Sequence, residues 1–109
     1  MRRDVFQAIA DPVRRDIIDL VAKQPLNVNT IAHSFDISRP AISKHVKILQ
    51  ECGILKIEKR GRERYCQIQP ESLFQVASWV DQYRSLWEQK LDNLETYLTE
   101  LQKKPKENG

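Results

Sequence analysis

"DISRPAISKHVKILQECGIL", residues 36–55, is the stretch whose reading decides the fold. Ser38 is a natural N-cap, because its hydroxyl can accept a hydrogen bond from a backbone N–H of the first helical turn. Pro40 falls inside that turn, where its missing N–H costs nothing. Gly53 lies just past the far end, at the position that favours a left-handed residue. Between these signals Ile42, Val46 and Leu49 recur at helical spacing and form a buried stripe. The opposite face holds Arg39, Pro40, Ser43, Lys44 and Lys47, all short or basic, with no carboxylate before Glu51. A helix that only had to meet water would carry acids among its bases.

Upstream, Asp11-Pro12 joins an N-cap acid to a proline at the first helical position. The following "VRRDIIDLVAK" (13–23) sets Val13, Ile17, Leu20 and Val21 on one face, and Gln24-Pro25 ends it. Val5, Phe6 and Ile9 mark a short first helix. Asn29 is expected to cap a third, "TIAHSF" (30–35), with Ile31, Ala32 and Phe35 turned inward. Asp36-Ile37-Ser38 then makes a tight connection, so the third and fourth helices form a helix-turn-helix.

Downstream, "ILKIEK" (54–59) and "RYCQIQ" (64–69) alternate around "RGRE" (60–63), with Gly61 at the tip. This pattern is a small basic β-hairpin, a wing, closed by Pro70. From Glu71 to Leu101 the spacing is helical for about thirty residues, with a kink expected near Ser78. Leu73, Val76, Val80, Tyr83, Trp87, Leu91, Leu94, Leu98 and Leu101 follow a heptad seam with one stutter at Tyr83–Trp87–Leu91. The expected fold is mainly α with a small β-hairpin: a winged helix-turn-helix in the order α-α-α-α-β-β-α. Residues 1–101 are read as one DNA-binding and dimerisation domain, and 102–109 as a polar tail.

Charge distribution sharpens this reading. The net charge of the 109 residues is +3, but residues 39–64 carry 8 Lys+Arg against 3 Asp+Glu. A concentrated basic patch is the electrostatic footprint of a polyanion, although a solvated lysine-rich surface gives the same count. A helix laid in the major groove needs short side chains for close approach. Arginine can read guanine bidentately, serine can bond either edge type, and lysine neutralises phosphate. Ser38, Arg39, Pro40, Ser43, Lys44 and Lys47 are therefore candidate DNA contacts on the fourth helix. His45, beside the buried stripe, is a candidate phosphate donor. Lys59, Arg60, Arg62 and Arg64 surround the wing's glycine turn, slim enough for a minor groove.

The expected partner is double-stranded DNA, with no cofactor and no metal. Cys52 and Cys66 are neither a disulfide framework nor a zinc pair, and both are read as small buried residues, with a redox switch as the lesser alternative. No apolar run approaches a membrane span, the first fifteen residues lack an apolar leader core, and a cytoplasmic location is expected. No nucleophile–base set, glycine-rich phosphate loop or paired acids suggest an enzyme.

The long helix argues for self-association. Trp79, Tyr83, Leu86, Trp87, Leu91, Leu94 and Leu98 exceed what a core built from residues 1–70 can cover. A second copy would bury them and create two-fold symmetry.

Three stretches, "AIADPVRRDIIDLV" (8–21), "FDISRPAISKHVKILQECGIL" (35–55) and "KRGRERYCQIQP" (59–70), resemble the ArsR-type winged-helix repressors. The likeness spans about residues 3–101. "SWVDQYRSLWEQKLDNLETYL" (78–98) is similar to a subgroup with an aromatic-rich last helix. The resemblance implies a homodimeric repressor whose first and last helices pair, drawing in Val5, Phe6 and Ile9. Its two recognition helices would read an inverted-repeat operator and block the promoter. Metal-sensing members of that family carry a Cys-x-Cys pair near the third helix or Asp/His ligands on the last. Here "NVNTIAHSFD" (27–36) has no cysteine, and residues 71–109 have no cysteine or histidine. The expectation is a member that does not sense metal, with its effector unspecified. A metal- or thiol-responsive repressor and a winged-helix module that docks only proteins are the alternatives.

Overall fold

The computed structural model describes residues 4–103. They fall into two compact units that divide after Val76. The first opens with α1 (Val5–Ile9), started by a capping box in which Gln7 N donates to Asp4 Oδ1 at 2.9 Å and Asp4 N to Gln7 Oε1 at 3.2 Å. Helix α2 (Pro12–Lys23) begins on Asp11, whose carboxylate accepts from Val13 N (2.8 Å) and Arg14 N (3.2 Å). A short strand β1 (Leu26–Asn27) leads into α3 (Val28–His33), and α4 (Arg39–Glu51) completes the helix-turn-helix. The wing is β2 (Leu55–Arg60) and β3 (Glu63–Ile68).

Strand β1 was not expected. It pairs antiparallel with β3, Leu26 opposite Cys66 and Asn27 opposite Tyr65, so the hairpin becomes a three-stranded sheet in the order β1-β3-β2. Two residues are too few to show an alternating pattern; only the distant partner makes them a strand. The cap of α3 also differs from expectation. Asn27, extended at φ −81° and ψ 163°, accepts from Thr30 N at 2.8 Å, so the helix begins at Val28 and Asn29 lies in its first turn.

Helix α4 ends in a Schellman motif. Gly53, at φ +77°, donates to Gln50 O (3.0 Å), and Ile54 N donates to Leu49 O (2.9 Å). Leu49 and Ile54, the pair that such an ending brings together, are both fully buried. With Ile17, Ile31, Ile42, Leu55 and Cys66 they form the centre of the core, and among the described residues no polar or charged residue is buried. The core fixes α4 by one face and leaves the other to solvent.

A 3₁₀ turn (Pro70–Leu73) and helix α5 (Phe74–Asp81) follow, then α6 (Arg84–Lys103). The expected single helix over 71–101 is therefore interrupted, and at Gln82-Tyr83 rather than near Ser78. There the bonding tightens to i→i−3, with Gln82 N donating to Trp79 O (3.2 Å) and Tyr83 N to Val80 O (2.9 Å). Arg84 Nε donates to Asp81 Oδ1 across the break at 2.7 Å, and the rings of Trp79 and Tyr83 meet edge to face with centroids 5.5 Å apart. The break coincides with the start of the heptad stutter, where one seam cannot continue on one straight helix. The tail expected at 102–109 starts inside α6, and 104–109 lie outside the described residues. No helix among the described residues is long and apolar enough to cross a membrane.

Candidate nucleic-acid interface

Ser38, extended at φ −67° and ψ 152°, starts α4 by accepting from Ala41 N at 3.3 Å. From there successive residues turn by about 100°. That rotation carries Arg39, Ser43, Lys47 and Gln50 to one side of the helix, and Pro40 and Lys44 to the outer edge of the same solvent-facing arc. The first four line an open groove of about 550 Å³, floored by Val46 and Ile57. Across it stand Arg62, Glu63 and Arg64 of the wing, and Asn27 and Asn29 close its end. The groove thus joins three elements far apart in sequence.

The wing turns on two residues. Gly61 has φ +62° while no non-glycine residue among the described residues adopts a positive φ, the pattern of a type II′ turn with glycine first. This turn places Arg60 opposite Glu63 and Lys59 opposite Arg64. The Lys59–Arg64 pair sets two like charges directly across the ladder, an arrangement that weakens a hairpin in isolation and that an anion between them relieves. Arg60 is engaged within the protein: its guanidinium carbon lies 5.1 Å from the centre of the Tyr65 ring, and its Nε is 3.5 Å from Glu58 Oε1. Among the described residues no salt bridge neutralises Lys44, Lys47, Lys59, Arg62 or Arg64. The surface therefore keeps most of its positive charge unspent.

Two asparagines hold the groove's end, and the sequence reading assigned neither to it. The Asn27 cap bond to Thr30 fixes which way its amide points, and its Nδ2 donates to Glu63 Oε2 at 2.9 Å, tying the wing to α3. Asn29 Oδ1 accepts from Arg39 Nε. Gln50 was also missed, three residues beyond Lys47 on the same helix face. Its polarity and spacing were the available signal; the asparagine contacts span 10 and 36 residues and leave no local trace.

His45 stands apart from the groove. It is half-buried, and Arg14 Nη1 of α2 lies 3.3 Å from its Nδ1. The same guanidinium donates from Nε to Ala8 O (2.7 Å) and from Nη2 to Gln7 O (3.1 Å), so Arg14 joins the end of α1 to α4. His45, a candidate phosphate donor by sequence, has its Nδ1 beside the Arg14 guanidinium.

The other candidates are placed as follows. Cys66 is fully buried, and burial pushes its thiol up, away from the reactive thiolate. Cys52 is half-buried, its Sγ donates to Asp4 O at 3.5 Å, and no disulfide links it to Cys66. Among the described residues no group of three or more His, Cys, Asp or Glu is placed to hold a metal ion. Val5 is buried in the core of the first unit, and among the apolar residues of α1 only Phe6 and Ile9 keep part of their surface outward. In the second unit Tyr83, Leu86, Trp87, Leu91, Leu94 and Leu98 are 40–63% exposed, as are Trp79 and the unforeseen Tyr97.

Comparison with known proteins identifies this architecture. The model of the family described as "Bacterial regulatory protein, arsR family" matches residues 11–56, from the cap of α2 into β2. The transcriptional repressor SdpR of Bacillus subtilis is 34% identical over 71% of this chain and 86% of its own length. The HTH-type transcriptional regulator Rv2034 of Mycobacterium tuberculosis is 33% identical over 72% of this chain and 73% of its own. A crystal structure of an ArsR family transcriptional regulator superposes with a TM-score of 0.67 at 36% identity, covering 76% of this chain and 91% of that one. The chain belongs to the arsR family of bacterial regulatory proteins and is a winged helix-turn-helix transcriptional regulator.

Proposed function

We propose that this regulator acts in the cytoplasm as a homodimeric repressor, binding an inverted-repeat operator and blocking the promoter by occupancy. The observation that carries the reading is the groove itself: unneutralised cations of α4 and of the wing converge on its two sides, and the elements between them are fixed by the core. In the bound state α4 lies in the major groove. Arg39 and Ser43 meet base edges near the helix N-terminus, with Ser38 and Pro40 giving close approach. Lys44 and Lys47 meet phosphate. Lys59, Arg62 and Arg64 follow the adjacent minor groove, and Arg60 braces Tyr65 on the wing.

Self-association rests on the second unit. Seven large side chains from Leu86 to Leu101 share one face of α6 and stay 48–63% exposed, a patch larger than an isolated chain in water tolerates. Pairing through this face buries it against a second copy and doubles the DNA-reading surface.

Selection of bound fragments from random duplex DNA with the purified protein tests the whole reading. The expected product is an inverted repeat with half-sites about 34 Å apart, or a multiple of that. Recovery of unrelated sequences with equal affinity at low ionic strength refutes sequence-specific repression.

A further inference from the structure

We propose that Asn29 is a positioning residue for base reading: it aims the Arg39 guanidinium while touching no base itself. The inference rests on the assignment of Arg39 as a base reader and goes beyond it.

Arginine offers five N–H donors in a rigid fork, but the fork hangs on a long flexible stem. Ordering such a side chain on binding costs affinity, and pre-ordering it removes that cost. In this structure Arg39 Nε is already bonded to Asn29 Oδ1. The side-on fork, made of Nε and one terminal nitrogen, is thereby closed. The end-on fork of the two terminal nitrogens has no protein partner among the described residues. That fork is the one left to approach guanine O6 and N7.

Asn29 can aim Arg39 because its own place is fixed. It sits in the first turn of α3, two positions after a residue that is anchored twice. Asn27 caps the helix through Oδ1 and holds Glu63 through Nδ2, while its backbone pairs with Tyr65 in the sheet. Val28 packs on the core between them. The Asn27-Val28-Asn29 segment is thus a rigid bracket, one arm on the wing and the other on the recognition helix. Removing the Asn29 amide frees Arg39 without disturbing the cap, because the cap belongs to Asn27.

The experiment uses the full chain and its selected operator, with the base pair that depends on Arg39 replaced by each alternative in turn. Asn29→Ala is expected to reduce discrimination at that base pair about three- to tenfold, with the slope of affinity against salt unchanged. In an Arg39→Ala background the same substitution should add nothing, since the two residues act as one unit. Asn29→Asp supplies an acceptor at the same place and should restore discrimination while lowering overall affinity through its charge. If Arg39→Ala alters base preference and Asn29→Ala does not, the positioning role is overturned and the base reader stands. If Arg39→Ala leaves base preference intact, the assignment of the reader falls, and the role of Asn29 with it. A loss with Asn29→Ala that is uniform across sequences and accompanied by a smaller salt slope marks Asn29 as a phosphate contact and overturns the proposal.

Discussion

Arg39 and Lys47 lie on the same side of one helix and line the same groove, yet their chemistry assigns them different work. A bidentate arginine is worth most where one base pair offers two acceptors, whereas an ammonium is a point charge that any phosphate satisfies. Arg39→Ala is expected to cost about 1–3 kcal/mol on the selected operator and to relax preference at one base pair. Lys47→Ala should weaken all duplexes alike and reduce the salt slope by about 1. Fluorescence-anisotropy titrations across a salt series check both. Asp11 makes a separate prediction. Burial raises its pKa, but the N–H bonds from Arg14 and Val13 and the nearby His45 and Arg14 outweigh this, and the carboxyl titrates below its ordinary 3.8. A group depressed in the folded state contributes stability that is complete above the unfolded pKa, near 4, and lost as pH falls through the folded value. Asp11→Asn keeps an acceptor at the N-cap and has no charge to titrate. Its denaturant midpoint should fall less steeply than that of the parent as pH drops below about 4.

At the scale of the element, α4 was legible because every signal it uses is local. Ser38 caps it, Pro40 sits in its first turn, Gly53 ends it, and the buried stripe keeps the helical period. The wing was legible for the same reason, through alternation around one glycine. What escaped was decided by distant partners. Strand β1 exists only because β3 lies beside it, and the contact of His45 with Arg14, 31 residues earlier, leaves no local trace. The interruption between α5 and α6 carries no proline or glycine. Its sequence trace was the stutter beginning at Tyr83, which shows that one seam ends without showing that the helix does. Gly61 gives the element-level test. Open space surrounds it, with nothing within 4 Å of an added Cβ, so any loss on substitution comes from its φ of +62° and not from a clash. Gly61→Ala should strain the hairpin by about 1 kcal/mol, broaden the amide resonances of residues 58–65 and weaken duplex binding, with the helical core intact. Unchanged hairpin resonances and unchanged affinity would show that the turn does not need its left-handed residue.

For the whole molecule, the central question is what covers α6. The first unit gathers most of its large apolar side chains in a core, with Ile37 and Phe74 left exposed, while the second unit leaves Trp87, Leu91, Leu94 and Leu98 about half exposed or more. Burying apolar surface yields roughly 25 cal/mol per Å² removed from water, and a stable symmetric interface removes on the order of 1,600 Å². A face of seven large side chains, doubled by symmetry, has the extent such an interface needs. An aspartate at its centre would have to be buried without a partner, which costs more than the lost contacts alone. Trp87→Asp is accordingly expected to sediment as a monomer at concentrations where the parent is a dimer. Far-ultraviolet circular dichroism should show the winged unit retained, because Trp87 belongs to the other compact unit. Operator affinity should fall much further than affinity for a single half-site, since one chain cannot span both halves. A variant that stays dimeric would place the interface elsewhere, and a monomer that bound the full operator undiminished would separate self-association from repression.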